Sequence, residues 1–181
     1  MHRQRQPAPT VQTDSGHNFW VNIRREPRPR LILVCGLPGS GKTTHATALE
    51  EELHAIRLSA DDWMNALSID IYDEQQRQRI ENLQWQFGRK LLQCGLTVII
   101  EWGTWARAER DLLRMEARAT GAAVELHYLT APLEILLERI QRRGMEGPPI
   151  EREALERWVR VFEPPTHEEI ALFDAACTLE P

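Results

Sequence analysis

The chain of 181 residues carries 27 acidic and 22 basic side chains, a formal charge of −5, with 42% apolar and 27% charged residues. That length predicts one domain with a substantial core, burying roughly 70% of the unfolded chain's surface. The composition is that of a soluble globular protein and excludes collagen, coiled-coil and disulfide-scaffold classes; no apolar run approaches the ~20 residues that span a bilayer. The polar, Pro-containing N-terminus lacks the apolar stretch of a signal peptide. Cys35, Cys94 and Cys177 show neither metal-ligand spacing nor an even framework, which predicts a reducing compartment, the cytoplasm. Charge is uneven: residues 1–30 hold six Arg against two acids, +4, so the remainder carries −9. So acidic a body disfavours non-specific binding to nucleic acid.

Residues 1–29 read as a flexible N-terminal arm, rich in polar side chains and punctuated by Pro7, Pro9, Pro27 and Pro29, with Phe19, Trp20, Val21 and Ile23 as its apolar exception. Residues 30–181 form the domain. Leu31–Cys35 is a short continuous apolar run, as in a fully buried parallel strand. Lys42–His54 predicts a helix, Ala55–Ala60 a strand, and the stretch near Asp62–Leu67 a helical turn. Glu74–Cys94 is helical, with Ile80, Leu83, Phe87 and Leu91 at helical spacing. Leu96–Ile100 is a third buried strand. Arg107–Thr120 is a helix closed by Gly121, and Val124–Leu129 a fourth strand. A helix from Pro132 to Arg143 stops at Gly144; another spans Glu151–Phe162, before Pro164 and Pro165. Ala175–Leu179 is the fifth strand. This alternation predicts an α/β three-layer sandwich with a parallel sheet.

The chemistry lies first in Gly36-Leu37-Pro38-Gly39-Ser40-Gly41-Lys42-Thr43, which matches the Walker A pattern, between a buried strand and a helix as that pattern requires. Glycines let backbone N–H groups turn inward on phosphate oxygens, and the helix N-terminus favours an anion. The expected phosphate-binding set is Gly36, Pro38, Gly39, Ser40, Gly41, Lys42, Thr43 and Thr44. Lys42 is placed to reach the outer phosphates and Thr43 to hold Mg²⁺.

Ligands in open α/β sheets lie beyond the carboxyl ends of the strands. Asp61, Asp62 and Glu101 fall at such ends. A carboxylate there accepts a proton from a substrate hydroxyl or holds Mg²⁺, whereas one of the Asp pair can instead cap the following turn, and Glu101 can instead bond the loop. Arg139, Arg142 and Arg143 share one helix face, suited either to a γ-phosphate or to the helix dipole. Arg107 and Arg110 are further arginines of the same kind. Trp63, Trp102 and Trp105 read equally as walls of an acceptor pocket or as core. Cys35 reads as a small buried hydrophobe, and His127 as structural.

GLPGSGKTT, LSADDW, VIIEWGTWARAERDLLRMEARATG and LHYLTAPLEILLERIQRRG, in that order over about residues 30–165, resemble the P-loop kinases related to the polynucleotide kinase 5′-kinase domain, a group that includes chloramphenicol phosphotransferase and the zeta toxins. The resemblance implies an adenylate-kinase-like core with a five-stranded parallel sheet, ATP and Mg²⁺ as cofactors, and γ-phosphate transfer to a hydroxyl. It implies Asp61 as general base, Glu101 with Thr43 at the metal, and a lid helix around 132–143 whose Arg139 and Arg143 face the transition state, with Arg142 as substitute. It places Phe162–Glu168 as a tail near the adenine. Two departures touch the acceptor side: the Arg expected after the Asp-Asp-aromatic sequence is replaced by Met64, and the third strand ends in Glu101 rather than Asp.

These observations point to a phosphotransferase acting on a hydroxyl of a small molecule rather than on nucleic acid. Two other readings remain open. A polynucleotide 5′-hydroxyl kinase needs a basic groove that only residues 1–30 supply. A nucleotide-dependent switch that hydrolyses ATP slowly would use Phe19 and Trp20 as its partner element.

Overall fold

The computed structural model describes residues 28–142 and 150–180. The expected arm lies outside these residues except for Arg28 and Pro29, as does Arg143. The elements in chain order are β1 (Arg30–Cys35), α1 (Lys42–Leu53), β2 (Ile56–Leu58), α2 (Ala60–Ala66), α3 (Glu74–Gln93), β3 (Thr97–Gly103), α4 (Arg107–Ala119), β4 (Ala123–Leu129), α5 (Leu133–Arg142), α6 (Arg152–Val161), α7 (His167–Ile170) and β5 (Ala175–Leu179).

β1 lies at the centre because its side chains have no polar face to offer solvent: Leu31 through Cys35 are wholly buried. The sheet is parallel throughout, in the order β2-β3-β1-β4-β5. Leu31, Leu33 and Cys35 face α3 and α4 with Leu92, Leu113 and Ala117, while Ile32 and Val34 face α1 with Ala46 and Leu129. α5 and α6 join through Leu136, Leu137 and Leu155. Among the described residues no helix is long and apolar enough to cross a membrane.

Four expectations need correction. The second strand is only Ile56–Leu58, because Ser59 opens α2: its Oγ accepts the Asp62 N–H at 3.3 Å, so Ser59 and not an aspartate caps the turn. The third strand runs past Glu101 to Gly103, which sets Glu101 within it. α3 buries Ile80, Gln84, Trp85 and Leu92 and leaves Leu83 and Phe87 outside. The cause is Gln84, whose Nε2 donates to Ser59 O at 2.8 Å and whose Oε1 accepts from Trp102 Nε1 at 2.6 Å; the satisfied amide turns a polar residue inward and rotates the apolar stripe. The Phe162–Glu168 segment packs on the β3–α4 loop, with Glu163 N donating to Trp105 O at 3.0 Å and Glu163 Oε2 accepting the Arg107 N–H at 2.6 Å.

Candidate active site

The loop after β1 is built around main chain. A Cβ at Gly36 would run into the Leu129 carbonyl of β4, so the loop leaves the sheet at a point where only glycine fits. Gly41 sits at φ 96° as the N-cap of α1, with no side-chain cap, a conformation glycine adopts without Cβ strain. The first N–H groups of α1 therefore open toward the loop's concavity, the arrangement that holds an oxyanion. Ser40 Oγ is buried with no hydrogen-bond partner among the described residues. Lys42 Nζ donates to Leu37 O at 2.9 Å, folding the ammonium back over the loop.

One chain of ionic contacts runs from this loop to the start of α2. Thr43 Oγ1 donates to Glu101 Oε1 at 2.5 Å. Glu101 Oε2 accepts from Arg57 Nη1 at 2.7 Å, Arg57 Nη2 reaches Asp62 Oδ2 at 2.6 Å, and Arg57 Nε reaches Glu50 at 3.1 Å. Burial alone would lower the guanidinium pKa, but the three carboxylates outweigh it and hold it above its usual range. Arg57 escaped the sequence reading; an arginine inside a predicted strand, where burial demands partners, was the available signal.

Asp61 points elsewhere. Its Oδ1 accepts from Arg77 Nη2 at 2.5 Å, and Arg77 also donates to Ile71 O at 3.0 Å and lies 3.8 Å from Glu81. Arg77 of α3 thus sets a guanidinium beside Asp61. Glu81 of α3 and Glu109 of α4 complete this wall. Burial, then the Glu109 charge, pushes Glu81 up to about 7; burial likewise raises Glu109, against hydrogen bonds from its own helix start.

The sign of the Glu81 shift gives a stability expectation. An acid held above its ordinary 4.5 favours the protonated fold, so its ionisation weakens the fold as pH rises from that value through about 7. Glu81→Gln should then exceed the wild type by roughly 1–3 kcal/mol at pH 8 and match it near pH 4. Urea titrations at the two pH values measure this, and an equal gap at both would rule out the ionisation as its source.

Of the three tryptophans, Trp63 and Trp102 pack together on Ala60, Met64 and Ile80. Trp105 stands apart, its ring over Gly103 and 6.0 Å from Trp158 of α6. Arg110 is not available to substrate: it is wholly buried, with Glu169 at 2.6 and 2.9 Å and the carbonyls of Thr104, Trp105 and Glu163 filling its other donors. Burial pushes the Cys35 thiol up to about 12, against the nearby Arg110 charge, so it is inert as a nucleophile.

On the far side of the loop lies a cavity of about 760 Å³ bordered by Gly41, Thr44, His45, Arg139, Arg142 and Leu179, a volume suited to a nucleotide-sized ligand. β5, rather than residues 162–168, closes this cavity. His45 Nε2 lies 2.8 Å from His127 Nδ1. Burial lowers both pKa values, with His127 adding to the effect on His45; this floor is neutral at pH 7.

A parallel sheet in this order, with a glycine loop leaving its central strand for a helix N-terminus, is the fold of a P-loop kinase. A family model described as AAA domain matches residues 31–165, and the chain belongs to that family. The adenylyl-sulfate kinase of Aeromonas hydrophila subsp. hydrophila is 32% identical over 118 residues, covering 62% of this chain and 59% of that protein; the chain spans less than two thirds of that relative's length. The APS kinase CysC of Mycobacterium tuberculosis, solved with AMPPNP and APS, is 21% identical with a TM-score of 0.59, covering 84% of this chain and 90% of that one. A gluconokinase of Sinorhizobium meliloti 1021 is 21% identical with a TM-score of 0.56, over 84% and 83%. Both share the fold.

Proposed function

We propose that the protein is an ATP- and Mg²⁺-dependent kinase that transfers the γ-phosphate to a hydroxyl of a small molecule. The observation that carries this is the unbroken contact chain Thr43–Glu101–Arg57–Asp62, which ties the phosphate loop to the helix that presents Asp61. Similarity to kinases of adenylyl sulfate and of gluconate supports a small acceptor. The three free cysteines suit the reducing cytoplasm.

In this reading the N–H groups of Gly39 to Thr44 and the Lys42 ammonium hold the β- and γ-phosphates. Thr43 and Glu101 offer a hydroxyl and a carboxylate, the hard oxygen donors that Mg²⁺ prefers, and the bound ion would neutralise phosphate charge. Arg57 fixes Glu101 so that one oxygen faces Thr43. Asp61 takes the acceptor hydroxyl's proton, oriented by Arg77. Arg139 and Arg143 meet the charge spread over the transferring group, with Arg142, beside Arg139 at the cavity, as substitute.

Asp61→Asn should lower kcat by 10²–10⁴-fold with ATP affinity unchanged, the range for removing a general base. Single-turnover transfer from γ-labelled ATP, with ADP release followed in parallel, is the measurement; full activity in the variant removes Asp61 from the chemistry. Label passing to a 5′-hydroxyl oligonucleotide, and not in Lys42→Ala, would establish the polynucleotide acceptor instead.

A further inference from the structure

The cavity beside the phosphate loop is unevenly lined. Arg139 and Arg142 of α5 border it with guanidinium groups, whereas Ala48 of α1 and Leu129 and Leu179 at the ends of β4 and β5 border it with apolar surface. Phosphate charge belongs with the arginines. The flat faces of a nucleobase belong with the aliphatic side chains. His45 borders the same cavity and stands at i, i+3 spacing from Ala48, on one face of α1. A polar ring is thus set where the edge of a base would lie.

The hydrogen of that ring is placed by a chain of contacts behind it. Arg30 Nη1 of β1 holds Glu125 Oε1 of β4 at 3.1 Å. The other oxygen, Glu125 Oε2, lies 3.6 Å from His127 Nε2. A ring nitrogen that faces a carboxylate carries its hydrogen, because a bare lone pair there would be repelled. In the neutral ring this leaves His127 Nδ1 as an acceptor. Its neighbour at 2.8 Å, His45 Nε2, is then the donor, and the remaining nitrogen of His45, Nδ1, is an acceptor. Burial lowers both pKa values and keeps the pair in this neutral form at pH 7. Neither ring can exchange donor for acceptor without breaking the chain to Glu125.

We propose that His45 selects the nucleotide: its Nδ1 accepts a hydrogen bond from the 6-amino group of adenine and rejects a 6-oxo purine, whose carbonyl sets lone pairs against that nitrogen. This rests on the kinase reading above and assigns the residue that reads its base. His127 and Glu125 act through His45, as positioning residues that fix its tautomer.

The test uses the full chain and competes nucleotides against a fluorescent, ribose-labelled ATP. The panel holds ATP and 2,6-diaminopurine riboside triphosphate, which carry the 6-amino group. It also holds purine riboside triphosphate, which lacks it, and the triphosphates of inosine and guanosine, which carry a 6-oxo group. The two 6-amino nucleotides should bind alike. Purine riboside triphosphate should bind about three- to tenfold more weakly, as for the loss of one neutral hydrogen bond. The 6-oxo nucleotides should bind more weakly by about tenfold or more, because acceptor then opposes acceptor. His45→Leu should bring all five together. His45→Gln should keep the wild-type order, since its amide can donate to His127 Nδ1 and present its carbonyl as the acceptor. His127→Leu leaves His45 in place but frees its tautomer, and should erase the rejection of 6-oxo forms while ATP still binds. Equal binding of 6-oxo and 6-amino nucleotides by the wild type, or an unchanged order in His45→Leu, overturns this inference and leaves the kinase reading intact; the wild-type panel decides even where a variant fails to fold. No Lys42-dependent binding of any nucleotide sinks both.

Discussion

Lys42→Ala is expected to cut phosphate transfer by 10²–10³-fold or more while leaving the fold intact. The lysine is part of the half-exposed loop, and its Nζ donates to Leu37 O at 2.9 Å. Its removal therefore opens no cavity in the core. In the proposed site, however, its ammonium would lie next to the outer phosphates, and removing one preorganised donor typically costs ~3–4 kcal/mol of barrier. Lys42→Arg should recover little, because the planar guanidinium does not fit a cradle shaped for a point charge. Turnover and thermal midpoint measured together check this. A variant that turns over normally would end the ATP-site reading, and one that unfolds would show the lysine to be structural.

Breaking the buried pair of Arg110 and Glu169 should give the largest loss of stability. Both side chains are almost wholly inaccessible, at 0% and 1%, and the guanidinium also serves the Thr104, Trp105 and Glu163 carbonyls. Glu169→Leu strands a cation in the core, and Arg110→Met strands a carboxylate and three carbonyls. Each should cost ~3–5 kcal/mol, a large part of a typical total stability of about 5–15 kcal/mol. The double variant should recover part of that loss, since apolar replacements of a buried pair leave no uncompensated charge. Denaturant titration of the two singles and the double gives the coupling. Additive losses would show that the pair is not the unit that holds α7 against α4.

The loop proposed to hold the nucleotide was legible from residue order alone. Glycines at fixed offsets, a lysine and a threonine follow a buried strand, and local backbone geometry does the rest. The fold was legible for the same reason: five apolar runs of strand length alternate with amphipathic helices, and each local choice agrees with a parallel sheet. The acceptor end was not. Arg77 reaches Asp61 across 16 positions in the chain, Glu109 acts on Glu81 from a different helix, and Arg57 joins Glu50, Asp62 and Glu101 from three elements.

Arg110 shows the limit most plainly, since at the start of α4 it had the same claim on phosphate as Arg107. Only the return of α7, a four-residue helix with no periodic signal, supplied Glu169 and drew it inside. The sequence by itself determined the strands, their helices and the phosphate cradle, because those depend on periodicity and backbone freedom within a few residues. Tertiary structure alone decided which arginine met which carboxylate, because ion pairs form between side chains that the sheet order brings together, and their charge and burial depend on every neighbour at once.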